Sequence, residues 1–407
     1  MNIRPFFALV AAGACLCAPL AQGAVHRVSP GESIQAAIDA AASGDTIIVA
    51  PGVYQENPDS RYGLRINTDN IRLIGRSRQD EGDAGKVRLI ANGSQETGIY
   101  AAPAGCEYDD PEGSCAAADL QGFYVRGFSV EEFPRNGIQT RWVDGFRFVR
   151  NASVNNLNNG IYPTLSANGL VRNNVSYGSL DTSMWVAGSE NVRVIDNELF
   201  GSPIGFEITV SNRVYVSQNE IYGNTIGIGL FHPNAAGNPP IPVMEDWIIR
   251  DNYVYENNLP NPAPPTTFQG ALPPGIGVLL LGVSDHVVTS NYVEDNDFVG
   301  IGLLGWCTAT SFNPLRNCMV DPPIADPAVR NNQIQDNTVR GNGSAPPGGG
   351  AGPLDFLAAD LTYFEQEGSS GNCFRDNEPD GFTFISSQPD GALPTEGCTS
   401  DRPTLLD

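Results

Sequence analysis

The apolar positions of this chain recur with two periods at once. Over short stretches they alternate with polar ones, as in Phe206-Glu207-Ile208-Thr209 and Val192-Arg193-Val194, which predicts strands with one face turned inward. Over longer distances the pattern returns every 22 to 23 residues, from Asn136-Gly137-Ile138 through Asn159-Gly160-Ile161, Ser183-Met184 and Gly205-Phe206 to Gly227-Ile228. Each unit reads as three short strands and three turns. Asn151, Asn174, Asn197 and Asn219 mark one turn at intervals of 23, 23 and 22 residues. Strands so spaced leave no room for hairpins. They suit a coil in which each strand pairs in parallel with its counterpart one unit on, about 4.8 Å away. The turn asparagines then stack into a ladder, and Asn224, Asn257, Asn296 and Asn337 predict a second one.

Ahead of the repeat, Ser33 to Ala41 places Ile34, Ala37, Ile38 and Ala41 at helical spacing, with Ser33 as N-cap and Gly44 as stop. A short helix there would cover the open end of the stack. Met1 to Ala24 reads as a secretory signal: Arg4 is basic, Phe6 to Leu20 apolar, and Ala21-Gln22-Gly23-Ala24 small enough for cleavage. Beyond Ser344 the repeat fades into Ala345-Pro346-Pro347-Gly348-Gly349-Gly350. The expected organisation is a signal peptide over 1–24, the coil over 25–345 and a C-terminal loop or cap over 346–407.

Composition narrows the partners. The net charge is −23 and Lys86 is the only lysine, which argues against nucleic acid as a partner. An anionic glycan would need local arginines or bridging cations. No stretch outside the signal is apolar enough to span a membrane. Six cysteines remain after the signal, predicting the disulfides Cys106/Cys115, Cys307/Cys318 and Cys373/Cys398 and an oxidising, secreted or periplasmic location. No metal or cofactor site is expected from His and Cys spacing. The acidic loop Glu107, Asp109, Asp110, Glu112 is either a Ca²⁺ candidate or a solvated charged loop.

The segment from Pro30 to Ile47 resembles the entry cap of the pectate-lyase-like superfamily, and Asn159 to about Gly305 resembles an exported bacterial subgroup of β-helix repeat proteins. The resemblance implies an all-β, right-handed parallel β-helix with a short N-terminal capping helix. It implies no single reaction, because this architecture hosts lyases, hydrolases, esterases, epimerases and non-enzymes. The Asn-x-Asp, Asp-Asp, Gly-His-Gly and Arg-x-Lys set of galacturonan hydrolases is absent. So is the Asp-Pro-His-Asp motif of mannuronan epimerases, the nearest stretch being Phe231-His232-Pro233-Asn234. Gly52-Val53-Tyr54-Gln55-Glu56 occurs in pectin methylesterases, whose later motifs are missing here.

The register locates a candidate site. Ile138, Ile161, Met184, Phe206 and Ile228 should fill the core, so Gln139, Tyr162, Trp185, Glu207 and Gly229 should face out. Arg141, Thr164, Ala187, Thr209 and Phe231 follow two positions on. Insertions at 101–120, 232–244, 258–274 and 307–328 leave beside this first-strand sheet, as groove walls do. Glu207 is the candidate acid or base, His232 (or Tyr162) a second proton carrier, and Arg141 a cation for a substrate carboxylate. Gln139, Tyr162, Trp185 and Thr209 are the candidate substrate contacts. His286 aligns with core positions, and the stripe Tyr177, Phe200, Tyr222, Tyr255 reads as structural stacking. The expected function is binding of a polysaccharide or oligosaccharide in this groove, with lyase or glycoside hydrolase chemistry left open. The alternative is a non-catalytic carbohydrate-binding or surface-structural protein.

Overall fold

The computed structural model describes residues 23–56, 58–77, 86–110, 115, 119–231, 244–311, 328–378, 383–395 and 397–398. Within them the chain winds as a right-handed parallel β-helix of three sheets, with 11 first strands, 12 second strands and 10 third strands. Every pairing is parallel between successive coils, as the repeat requires.

Ile138, Ile161, Met184, Phe206 and Ile228 are Cα partners, followed by Val278, Ile301 and Leu361. All eight are buried in the central core. A glycine two residues before the next outward position, such as Gly227, lies where the chain bends into the first strand. A Cβ there would meet Gly277 O at 2.5 Å and Asn257 Nδ2 at 2.9 Å, so the bend holds no side chain.

The first ladder runs as expected. Asn174 accepts the backbone and side-chain N–H groups of Asn151 at 3.0 and 3.1 Å, and Asn197 accepts those of Asn174, both at 2.9 Å. It continues through Asn219, Asn252, Asn291, Asn337 and Asn377. Asn337 therefore belongs to this ladder. The second one is Asn224, Asn257, Asn296 and Asn342. The long insertions before residue 337 had obscured the count. The residue before each first-ladder asparagine is left-handed, for example Asn173 (φ 55°) and Asp196 (φ 56°), a conformation that short polar side chains tolerate.

The capping helix spans Ile34–Asp39, shorter than its pattern, and Ser33 Oγ accepts from the Ala36 N–H. Glu56 accepts from the Ile34 N–H and the Ser33 hydroxyl, both at 2.7 Å, which makes the Gly52–Glu56 motif a helix anchor. At the other end, Ala359–Phe364 and Phe384–Ser386 extend the first-strand sheet and Cys373–Arg375 the second, so coil structure continues past residue 345. Cys106–Cys115 and Cys373–Cys398 are paired. Cys307 is also disulfide-bonded, and its expected partner Cys318 lies outside the described residues, as does the expected signal apart from its last positions.

Candidate functional site

The outward surface of the first-strand sheet changes character midway along the stack. One outward row reads Arg65, Tyr100, Gln139, Tyr162, Trp185, Glu207, then Gly229, Leu279 and Gly302. The next reads Arg141, Thr164, Ala187, Thr209, then Phe231, Leu281, Leu304 and Phe364. A third row, two residues before the core positions, reads Asn159 and Thr182, then Ile204, Ile226, Ile276 and Val299. All three rows turn from polar to apolar between the coil of Trp185 and that of Phe231.

The two halves are covered differently. Over the apolar half, Phe231, Leu279, Leu281 and Trp306 pack with Phe268 and Leu272 of the 256–275 loop into a second core. Phe268 stands edge-on to Phe231 and stacks on Trp306. Over the N-terminal half lies the disulfide-tied loop of Cys106 and Cys115. Arg65 donates to the carbonyls of Ala102, Pro103 and Cys106 at 2.8–2.9 Å. Arg141, only 7 % exposed, donates to the carbonyls of Tyr108 and Asp110. Its expected role as a substrate cation is thereby displaced by a structural one: it clamps the loop. The loop's carboxylates are engaged likewise, Asp109 with Arg61 and Glu107 with the Tyr62 hydroxyl, and no group of three metal-ligating side chains occurs among the described residues.

Between the covers lie Gln139, Tyr162, Trp185, Glu207 and Thr209, on consecutive coils. Gln139 is buried and accepts from Asn136 Nδ2 at 2.8 Å. Tyr162 and Trp185 stack on each other, centroids 4.6 Å apart at 12°. Their facing surfaces are consequently closed to a sugar ring, and Trp185 Nε1 donates to Thr209 Oγ1 at 2.9 Å. The pair contributes shape and edges rather than a stacking face. His232, the expected proton carrier, lies outside the described residues.

Glu207 is 4 % exposed and has a neighbour the alternation did not reveal, Asp181, 9 % exposed. Asp181 sits in the turn immediately before the strand Thr182–Ala187, one coil before Glu207. The Thr182 hydroxyl lies 2.8 Å from Glu207 Oε2 and 3.3 Å from Asp181 Oδ1. Gln269, from the loop over the apolar half, donates to Asp181. Burial raises the Asp181 carboxyl to about 6, against the opposing bonds from Gln269 and Thr182. Burial first, and the Asp181 charge second, push Glu207 well above the ordinary carboxylate range. Two carboxyls in one dry pocket share a charge rather than both ionise. The Thr182 hydroxyl is the donor to Glu207 and links the two acids. The Tyr162 hydroxyl nearby is raised above its usual value, chiefly by burial and further by both acids.

Unsatisfied polar atoms gather on the same half. Thr97 Oγ1, Tyr100 Oη, Arg141 Nε and Asn159 Oδ1 are buried without a hydrogen-bond partner. By contrast His286 is fully accommodated in the core, stacked on Trp247 at 4.1 Å. The Tyr177, Phe200, Tyr222, Tyr255 stripe forms a continuous stack at 4.7–5.2 Å. Both agree with their structural readings.

A family model described as a right handed beta helix region matches residues 136–318. Among solved structures, the chain is similar to the A-module of the Azotobacter vinelandii mannuronan C-5 epimerase AlgE4, at 14 % identity and TM-score 0.55, covering 87 % of this chain and 95 % of that one. It is similar to the AlgE6 A-module of the same organism at 13 % identity and TM-score 0.54, over 91 % and 95 % of the two chains. The Dettilon tailspike protein matches at 14 % identity and TM-score 0.52, over 90 % of this chain and 61 % of that one. No curated protein sequence matches. The chain has the right-handed parallel β-helix fold. At these identities the likeness concerns the fold.

Proposed function

We propose that the protein is an exported enzyme that cleaves glycosidic bonds of a polysaccharide across the polar half of the first-strand face. The observation that carries this reading is the Asp181–Thr182–Glu207 cluster, in which two buried carboxyls share one hydroxyl and burial raises both above the ordinary carboxylate range, Asp181 to about 6 and Glu207 well above its usual value. Glycoside hydrolysis asks for two carboxyls, one acting as acid and the other as base or nucleophile. A shared hydroxyl at 3.3 and 2.8 Å brings the facing oxygens closer than the roughly 6.5–9.5 Å that leaves room for an intervening water. The spacing favours direct attack. Glu207 protonates the glycosidic oxygen as the bond to the anomeric carbon breaks, and the Asp181 carboxylate bonds to that carbon. Glu207, now ionised, takes a proton from water, whose oxygen displaces Asp181 and returns it as a carboxylate.

Thr182 positions the two acids, and the Trp185–Tyr162 pair and Thr209 shape the adjoining surface. The polysaccharide class is supported by analogy at the level of fold with the mannuronan epimerase modules. Export is supported by the disulfides.

The test is a panel of neutral and acidic polysaccharides followed by reducing-end release, unsaturated-product absorbance and the anomeric configuration of the first product by NMR. Reducing ends with retained configuration, lost in Glu207→Gln and in Asp181→Asn, are expected. Unsaturated products would establish a lyase instead. Binding without cleavage, unchanged by both variants, would establish the non-catalytic alternative.

A further inference from the structure

The second-strand sheet carries a charge pattern opposite to that of the whole chain. In one outward row the Cα partners are Arg72, Tyr124, Arg147, Leu170, Arg193 and Tyr215. In the row beside it they are Ile74, Arg126, Val149, Arg172, Ile195, Ser217 and Arg250. Five consecutive coils thus present one arginine each, alternating between the rows, and Arg250 resumes the zigzag two coils later. Arginines in the same row stand two coils apart, roughly 10 Å. Six of the chain's 23 basic residues lie on this one strip of a protein of net charge −23.

Structural pairing accounts for only part of it. Arg172 pairs with Asp196 and Arg250 with Asp251, both at 2.8 Å, while Arg72 lies over the Tyr124 ring at 4.6 Å. Arg126, Arg147 and Arg193 are exposed, and no carboxylate of the described residues lies within ion-pair distance of them. In so acidic a chain, three unpaired guanidinium groups on successive or alternate coils of one face form a local positive surface. Neighbouring unpaired arginines stand one or two coils apart, within about one 10 Å screening length of each other, so their fields add.

We propose that this face binds an anionic polysaccharide lying along the helix axis. A guanidinium fork matches a carboxylate or sulfate group, and three unpaired arginines within four coils, one and two coil steps of about 4.8 Å apart, suit a chain that carries acidic groups at sugar spacing. It suits duplex nucleic acid poorly, with one charge per about 1.7 Å, which the overall negative field repels. The half-exposed rings of Tyr124 and Tyr215 between the arginines offer apolar contact to the sugar carbons. The site is separate from the Asp181–Glu207 cluster and would hold the enzyme to an acidic matrix while the other face acts.

Affinity electrophoresis in gels containing polygalacturonate tests the proposal, with dextran and a DNA duplex as comparisons, at low and at physiological salt. Wild type should be retarded by polygalacturonate, less so as salt rises, and not by dextran. Arg126→Gln/Arg147→Gln/Arg193→Gln should bind about tenfold more weakly while melting at the wild-type temperature and keeping its activity at the first-strand site. Equal retardation of the triple variant, absence of retardation, or tighter binding to the DNA duplex would each overturn the assignment. Loss of glycan cleavage in Glu207→Gln with retardation intact would leave this face's role standing, so the two readings fail separately.

Discussion

One sheet, one register and one coil geometry carry two unlike surfaces. From Arg65 to Glu207 the outward rows of the first-strand sheet hold arginine, tyrosine, tryptophan and amide side chains, with orphaned polar atoms beneath a disulfide-tied loop. From Phe231 onward the same rows hold leucine, phenylalanine and glycine, sealed under the 256–275 loop and the helix Trp306–Ser311. The backbone cannot tell these halves apart, so side-chain chemistry alone separates a surface built to be covered by protein from one left with polar groups to satisfy. Glu207 lies at the seam. It belongs to the polar row, yet its neighbours Ile204 and Phe231 and the arriving Gln269 belong to the covered half. That position explains its burial, and burial raises its carboxyl above the ordinary range.

The comparison makes its largest claim about Glu207→Gln. Loss of a general acid costs on the order of 10³-fold in rate. The melting temperature should stay level or rise, since a buried ionisable group is replaced by a neutral one, and kinetics beside calorimetry on one preparation checks both. Phe231→Ala, in the next row and one coil on in the covered half, should do the reverse. It should cost about 3 kcal/mol in urea unfolding through the lost cavity filling, whereas Thr209→Ala, its partner one coil earlier on the polar half, should cost well under half of that. If the two truncations cost the same, the halves are not energetically distinct.

A smaller effect is expected at Thr182. Thr182→Val removes the hydroxyl between the acids and should slow turnover by roughly tenfold while moving the pH profile, with Thr182→Ser restoring both. The smallest effect is in stability against pH. Asp181 titrates higher in the folded chain, near 6, than its ordinary 3.8, so the folded state binds the extra proton. The Asp181 contribution is then fully present below about 4, declines as pH rises from there to about 6 and levels off above, and Asp181→Asn should flatten that decline by a few degrees of melting temperature.

Much of this was legible before any coordinates. The core row from Ile138 to Ile228, the outward row from Gln139 to Glu207, the first asparagine ladder and the aromatic stripe all follow from a strict period, because each coil repeats its neighbour's environment. What the period does not encode was missed. Asp181 precedes its strand and lies outside the alternation counted forward from Met184, although the step back to Thr182 and its flanking acid would have found it. Gln269 reaches Asp181 across an insertion whose path no periodicity describes. The faces of Tyr162 and Trp185 are closed because parallel coils bring equivalent rings into contact, the same effect already read at Tyr177 and Phe200. Arg141 faces outward as expected, but a loop more than 30 residues earlier claims its guanidinium.

The account turns on a proton held at the seam. The most direct test is a side-chain carboxyl titration by carbon NMR on the wild-type protein and on Asp181→Asn. The account predicts that Glu207 stays protonated at neutral pH, that Asp181 titrates near 6, and that Asp181→Asn lowers the Glu207 midpoint. Two carboxyls that both ionise at ordinary carboxylate pH, each indifferent to the other's removal, would contradict it.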